Sequence, residues 1–298
     1  MNKQRLIKSR RRISNAGRPQ SIAMKIQEYI PFLAGEFRAI DDLRGQGLNT
    51  RRSPEFKTNV AALVAAVVLF LMNFVVIGGP VQGWVQRAAI DAVISLTEGT
   101  MRATLLGVVP LARNIYWVFG CLICYIAIPG LVIKFLFCEK LTAFGLSPRG
   151  FVKHLPLYLL LFAPVLVSVI LVSYTKPFQN TYPFYHNPRY VWDMLLWDFL
   201  YCLQFFGLEF FFRGFLVHSV KFKLGSAAVW FMMLPYMMIH FTKPGAEAFG
   251  AIIAGTVLGV LSIRTNSIWG GVFIHCAIAV AMDWASLIQR GALPWMIY

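Results

Sequence analysis

Apolar residues gather in seven runs separated by polar intervals: 60–77, 115–133, 155–172, 194–220, 227–241, 248–263 and 268–288. A helix rising 1.5 Å per residue needs about 20 residues to cross a hydrocarbon core about 30 Å thick. The runs at 227–241 and 248–263 are short, and they read as a helical hairpin packed inside protein. The pattern predicts an all-α polytopic membrane bundle of about seven transmembrane helices. Pro129, Pro156, Pro164 and Pro235 lie in or at these runs. Neighbouring helices in lipid re-satisfy the backbone groups that such prolines free, so the helices stand.

The polar intervals divide the chain into a basic arm (1–58), a first set of transmembrane segments (59–142) and a third zone (143–298). The third zone holds nearly all the polar residues that fall inside apolar runs. Between the first two runs, 80–113 has mixed character and predicts an amphipathic helix. The interval "TKPFQNTYPFYHNPRY", with its prolines and aromatics, predicts an irregular cap over one membrane face. In 248–263, Ala251, Gly255 and Gly259 recur every four residues, a stripe that lets two helix backbones approach closely.

Composition fits this picture. Hydrophobic residues make up 58% of the 298 and charged residues 14%, against about 25% charged in soluble domains. The first 58 residues carry 13 Lys/Arg against 5 Asp/Glu. Placing that arm in the cytoplasm satisfies the positive-inside rule. Alternation from there leaves 20 Lys/Arg inside and seven outside, with Arg213 within a span. The expected location is a bacterial inner or plasma membrane. The run "KSRRR" lies too far from the first apolar stretch to act as a secretory leader. Residues 22–37 have weak helical potential and suit a membrane surface. The net charge of +15 does not indicate nucleic acid, since no recognition motif accompanies it and the cations suit an anionic leaflet. Cys121, Cys124, Cys138, Cys202 and Cys276 sit in or beside apolar runs and read as small buried hydrophobes.

Ionisable residues inside spans are expensive and mark function or a partner. Asp193, His218 and Lys221 fall near span ends, where water is expected close by. Glu209 and Arg213, in "GLEFFFRGF", are spaced i, i+4 with the acid first, the favourable order for a helical ion pair. A buried pair of this kind is weak evidence for stability, which favours a carboxylate kept for chemistry and held oriented by Arg213. His240 follows Tyr236 by four residues in "YMMIH", and His275 opens the last run in "GGVFIHCAIA". A Glu and two His on consecutive helices can activate water, the carboxylate acting as base and an imidazole supporting a developing oxyanion. The same trio also suits a His₂Glu zinc set, and the residues alone do not separate the two.

These motifs, "LEFFFRG", "YMMIH" and "HCAIA", together with "GVLSIRTNSIWGGVFIH" and "AFGLSPRGFVKHLP", resemble those of the CPBP family, the CAAX protease and bacteriocin-processing intramembrane endopeptidases. The resemblance covers roughly 143–290. It implies a glutamic-type endopeptidase without a cofactor. In it Glu209 and His240 activate water, Arg213 orients Glu209, and His275 supports the oxyanion. Its partners would be the bilayer and a membrane-anchored protein or peptide substrate. The chain departs from the family pattern at Leu208, where the first motif Glu would stand, at Ala279, where an Asn often stands, and at Tyr236, which replaces Phe. Asp283 is a possible compensating acid. A non-catalytic scaffold, immunity or chaperone-like protein on the same fold is the alternative, and a transporter using Glu209 as a proton site is a third reading.

Overall fold

The computed structural model describes residues 26–46, 51–96, 101–186, 188, 190–243 and 245–293. Most of the basic arm, including "KSRRR", lies outside them. The chain divides into a first unit, Met1–Ala39, and a second, Ile40–Tyr298. The first unit contributes most of helix α1 (Ile26–Asp41).

The second unit is a helical bundle. Helix α2 (Pro54–Leu71) starts at Ser53, whose Oγ accepts from Phe56 N at 3.2 Å, with Pro54 at the first helical position. Such a cap satisfies one of the donors orphaned at a helix start. Helices α3 (Pro80–Leu96) and α4 (Met101–Leu122) fill the segment expected to be amphipathic. After them come α5 (Leu155–Val172), α6 (Val191–Glu209), α7 (Val217–Leu224), α8 (Ala227–Met238), α9 (Gly245–Thr265) and α10 (Trp269–Arg290). A π-helical segment, Phe210–Leu216, joins α6 to α7 and makes Val191–Leu224 one continuous rod.

Among the described residues, six helices are long and apolar enough to cross a membrane: Pro54–Ala92, Val109–Phe137, Leu155–Val172, Val191–Leu224, Glu247–Thr265 and Trp269–Arg290. The protein is an integral membrane protein. Helix α9 departs from the expected short hairpin because its first turn, bearing Glu247, extends beyond the apolar run. Helix α8 stays short, at 12 residues.

The chain nevertheless passes between the bundle's two ends through α8 as well. At its start, Lys223 Nζ meets Glu55 Oε1 at 2.6 Å and Arg44 Nη2 donates to Leu224 O at 3.0 Å. At its finish, Lys243 Nζ lies 3.4 Å from Tyr182 Oη, beside the interval expected to cap one face. That cap is pinned to the bundle: Tyr182 Oη donates to Glu247 Oε2 at 3.0 Å and Phe184 N to Asp283 Oδ1 at 3.0 Å.

The small-residue stripe packs α9 onto α8. A Cβ added at Gly259 would meet Met232 Cε at 2.9 Å, and one at Gly255 would meet the Tyr236 ring at 3.0 Å. The three consecutive phenylalanines are core: Phe211 stacks on Tyr125 at 5.3 Å and Phe212 meets Tyr236 edge-on at 5.3 Å.

Candidate active site

Glu209 is the last residue of α6 and Arg213 lies within the π-helical segment that follows. Three other π-helical stretches occur among the described residues, at Met72–Ile77, Ile123–Ala127 and Val132–Phe137, so the side chains and not the turn type single this one out. Both side chains are buried, and Arg213 Nη1 lies 3.0 Å from Glu209 Oε1. The contact is an ion pair and not an aligned hydrogen bond, since neither Glu209 oxygen and none of the three guanidinium nitrogens has a hydrogen-bond partner among the described residues. The guanidinium carbon also stacks 3.9 Å from the centre of the Tyr236 ring.

Helix α10 brings His275 to the same carboxylate. Its Nδ1 lies 2.8 Å from Glu209 Oε1 and 3.2 Å from Gly271 O, so this edge faces two acceptors. The opposite nitrogen, Nε2, is 3.2 Å from Tyr236 Oη. Phe205 stacks on the imidazole, with ring centres 5.3 Å apart. Close approach of α10 depends on Gly271: a Cβ there would lie 2.6 Å from the Glu209 carboxyl carbon and overlap Oε2.

Glu209, Arg213 and His275 therefore form one buried cluster with Tyr236. His240 stands one step removed, in the turn after α8. Its Nδ1 bonds Tyr236 O at 2.8 Å and its ring lies 4.7 Å from the Tyr236 ring. No hydrogen bond or ion pair joins His240 to Glu209 among the described residues. No three His, Cys, Asp or Glu side chains among the described residues gather closely enough to hold a metal ion. Tyr236 joins the cluster through its hydroxyl. Its signal was present, a hydroxyl where the resembling motif carries Phe.

Leu208 and Ala279 are buried, Ala279 in an apolar cluster with Trp197 and Tyr201. Neither supplies a polar group to the site. Asp283 lies elsewhere, accepting from Trp197 Nε1 at 2.8 Å and from Phe184 N. Asp193 caps α6, accepting from Tyr190 N at 3.1 Å. His218, expected near water, is 4% exposed, because the segment around Gly145 covers it.

His218 heads a directional chain. Ser262 Oγ donates to Arg213 O at 2.9 Å, so it accepts from His218 Nε2 at 3.1 Å. The remaining nitrogen, Nδ1, then accepts from Lys221 Nζ at 2.8 Å. The chain ends on the backbone of the turn that carries the guanidinium.

Residues 190–281 match the family model of the Rce1-like type II CAAX prenyl endopeptidases. The match agrees with the resemblance to CPBP proteins read from the motifs. The Rce1-like segment contains Glu209, Arg213, Tyr236, His240 and His275, and it ends before Asp283. It covers just under a third of the chain. No curated protein and no solved structure matches the chain.

Proposed function

We propose that the protein is an intramembrane endopeptidase of glutamic type, cutting a membrane-anchored protein or peptide near the bilayer. The observation that carries this reading is the contact of Glu209 Oε1 with both Arg213 Nη1 and His275 Nδ1, at 3.0 and 2.8 Å, with the carboxylate and guanidinium fully buried. A stability device would not need it, since a buried pair gains little over apolar residues of the same volume. Chemistry does need a carboxylate held charged and aimed.

In this reading Glu209 takes a proton from water as the water oxygen bonds to the scissile carbonyl carbon. The carbonyl oxygen becomes an oxyanion, and the unpartnered N–H groups of Arg213 are the donors at hand, while His240, whose Nδ1–H is spent on Tyr236 O, has Nε2 left as an acceptor for the water. Collapse breaks the C–N bond, and the proton held by Glu209 passes to the leaving amine, giving an amine and a carboxylic acid that then ionises to solvent. Tyr236 Oη holds His275 Nε2 and leaves Nδ1 for the carboxylate. The positive-inside rule supports a cytoplasmic N-terminal arm, and the prenyl endopeptidase description of the matched family supports a lipid-anchored tail as substrate class.

The test is cleavage of membrane-anchored reporter peptides by the purified chain. Glu209→Gln is isosteric, and loss of a general base removes about 10²–10⁴-fold of rate. A Glu209→Gln variant that folds and cleaves at the wild-type rate overturns the assignment. One observation favours the non-catalytic alternative: Leu208 and Ala279 bury apolar groups where the resembling motifs carry polar ones. That alternative wins if cellular function survives Glu209→Gln and is lost in Gly259→Leu, which wedges α8 from α9.

A further inference from the structure

Four cationic or imidazole side chains far apart in sequence converge at the bundle end that carries the 173–190 interval. Lys176, Gln179, Asn180, His186 and Arg290 line a cavity of about 390 Å³. Arg113, from α4, stands near enough to act on His186 electrostatically. Crowding at the cavity wall, then the like charges of Arg113 and Arg290, hold the His186 imidazole below its ordinary value. No carboxylate pairs with Arg113, Lys176 or Arg290 among the described residues. The acids nearby in the fold are engaged elsewhere: Glu247 with Tyr182 and Lys243, Asp283 with Trp197 and Phe184, and Asp193 at the start of α6. The cluster is thus a concentration of positive charge that no carboxylate among the described residues neutralises.

Its depth is marked by neighbours. Tyr174, Tyr190 and Trp192, within or next to the same 173–190 interval, are 66%, 67% and 80% exposed. Exposed Tyr and Trp of this kind sit at headgroup level in membrane proteins. The cavity is open to solvent on one side and ample for a phosphate group. Lys and Arg supply point-charge and forked donors respectively, the pair of chemistries that phosphate oxygens accept.

We infer that the cavity lined by Lys176, His186 and Arg290 is a binding site for a phosphate-bearing anion, distinct from the Glu209 cluster and independent of whether that cluster is catalytic. The anion is either the headgroup phosphate of an anionic lipid or free phosphate.

The experiment follows the imidazole of His186 by NMR in the intact chain held in detergent, with His186→Asn used for assignment. Two probes are titrated, inorganic phosphate and short-chain phosphatidylglycerol. An anion seated beside the ring reverses the repulsion and raises its titration midpoint by about one unit, a tenfold change in proton affinity. A shift with phosphatidylglycerol alone identifies a lipid site, and a shift with both identifies a general phosphate site. The double variant Lys176→Gln/Arg290→Gln, both positions being exposed, weakens the response at least tenfold. No shift with either probe overturns the inference, as does an undiminished shift in a folded double variant. If that variant does not fold, the wild-type titration decides alone.

Discussion

Trp197 Nε1 donates to Asp283 Oδ2 at 2.8 Å, and Trp284 Nε1 donates to Asp198 Oδ2 at the same distance. The sequence reads Trp-Asp on α6 and Asp-Trp on α10, the mirror order that two antiparallel helices require for a reciprocal clasp. Asp283 also holds the cap through Phe184 N. Replacing it by Ala strands one buried and one half-buried N–H donor. Each orphaned donor costs about 1–3 kcal/mol, so Asp283→Ala is expected to destabilise by about 2–4 kcal/mol. Asp283→Asn retains one acceptor and falls between. Thermal unfolding in detergent checks this, and an unchanged midpoint for the Ala variant removes the clasp from the account.

The clasp also shows what the sequence hid. Hydrophobic runs located the rods because lipid imposes one rule, length, on every span. The i, i+4 spacing of Glu209 and Arg213 made their pairing legible, since both ride one helix. Contacts across helices were not legible. Asp283 read as a possible catalytic acid, yet it faces Trp197 across the bundle. The resemblance pairs His240 with Glu209 and gives His275 the oxyanion, yet it is His275 that the packing of Gly271 against the carboxylate brings within 2.8 Å of Glu209. Rotation of one rod against another depends on where small residues fall, and periodicity along a single rod does not carry it.

The Glu209–Arg213 pair predicts a non-additive pattern. Removing Arg213 alone, as Arg213→Met, leaves a carboxylate without its cation in a dry interior, a loss of about 3–5 kcal/mol. Glu209→Leu/Arg213→Met together removes both charges and is expected to recover most of that stability, while cleavage stays abolished. Denaturation of the single and double variants gives the coupling directly. Additive losses would mean that the two groups are not paired in the membrane.

Gly271→Ala is the smallest change expected to disable the site. The added methyl overlaps Glu209 Oε2 and lies 2.6 Å from the carboxyl carbon. The carboxylate is the end of a flexible chain, so the helices need not move. It swings away from His275, and cleavage falls by at least about tenfold while the unfolding midpoint shifts little, the response expected when about 1 Å of misplacement occurs at a reacting group. Equal losses of stability and activity would show instead that α10 is pushed out of place.

Asp41 sets a pH-dependent tie at the opposite end from the cap. Its Oδ1 accepts from Ser226 N at 2.9 Å, beside Gly225, whose φ of +59° suits glycine and where a Cβ would overlap that same oxygen. The Ser226 backbone N–H first, its side chain and the Arg44 guanidinium hold the Asp41 carboxyl below the usual carboxylate value. A depressed carboxyl contributes its stability fully above its unfolded value, near pH 4, and loses it as pH falls through the lower folded value. The expected outcome is a small drop in unfolding midpoint on acidification below about pH 4 that Asp41→Asn abolishes. A drop of the same size in the Asn variant would assign it to other carboxyls.

Tyr236→Phe isolates the hydroxyl that ties the cluster together. The ring stays, and with it the stack on Arg213 at 3.9 Å and the backbone carbonyl that accepts from His240. Only the bond from Oη to His275 Nε2 is lost. Without it the imidazole is free to exchange which nitrogen bears the proton, and the fraction presenting Nδ1–H to Glu209 falls. A neutral hydrogen bond contributes about 0.5–1.5 kcal/mol, so stability changes by no more than that. Turnover is expected to fall about tenfold with KM unchanged, because the bond orients a reacting group and does not hold substrate. A rise in KM at constant kcat would place Tyr236 against the substrate, and wild-type kinetics in the Phe variant would leave His275 held by Gly271 O and Glu209 alone.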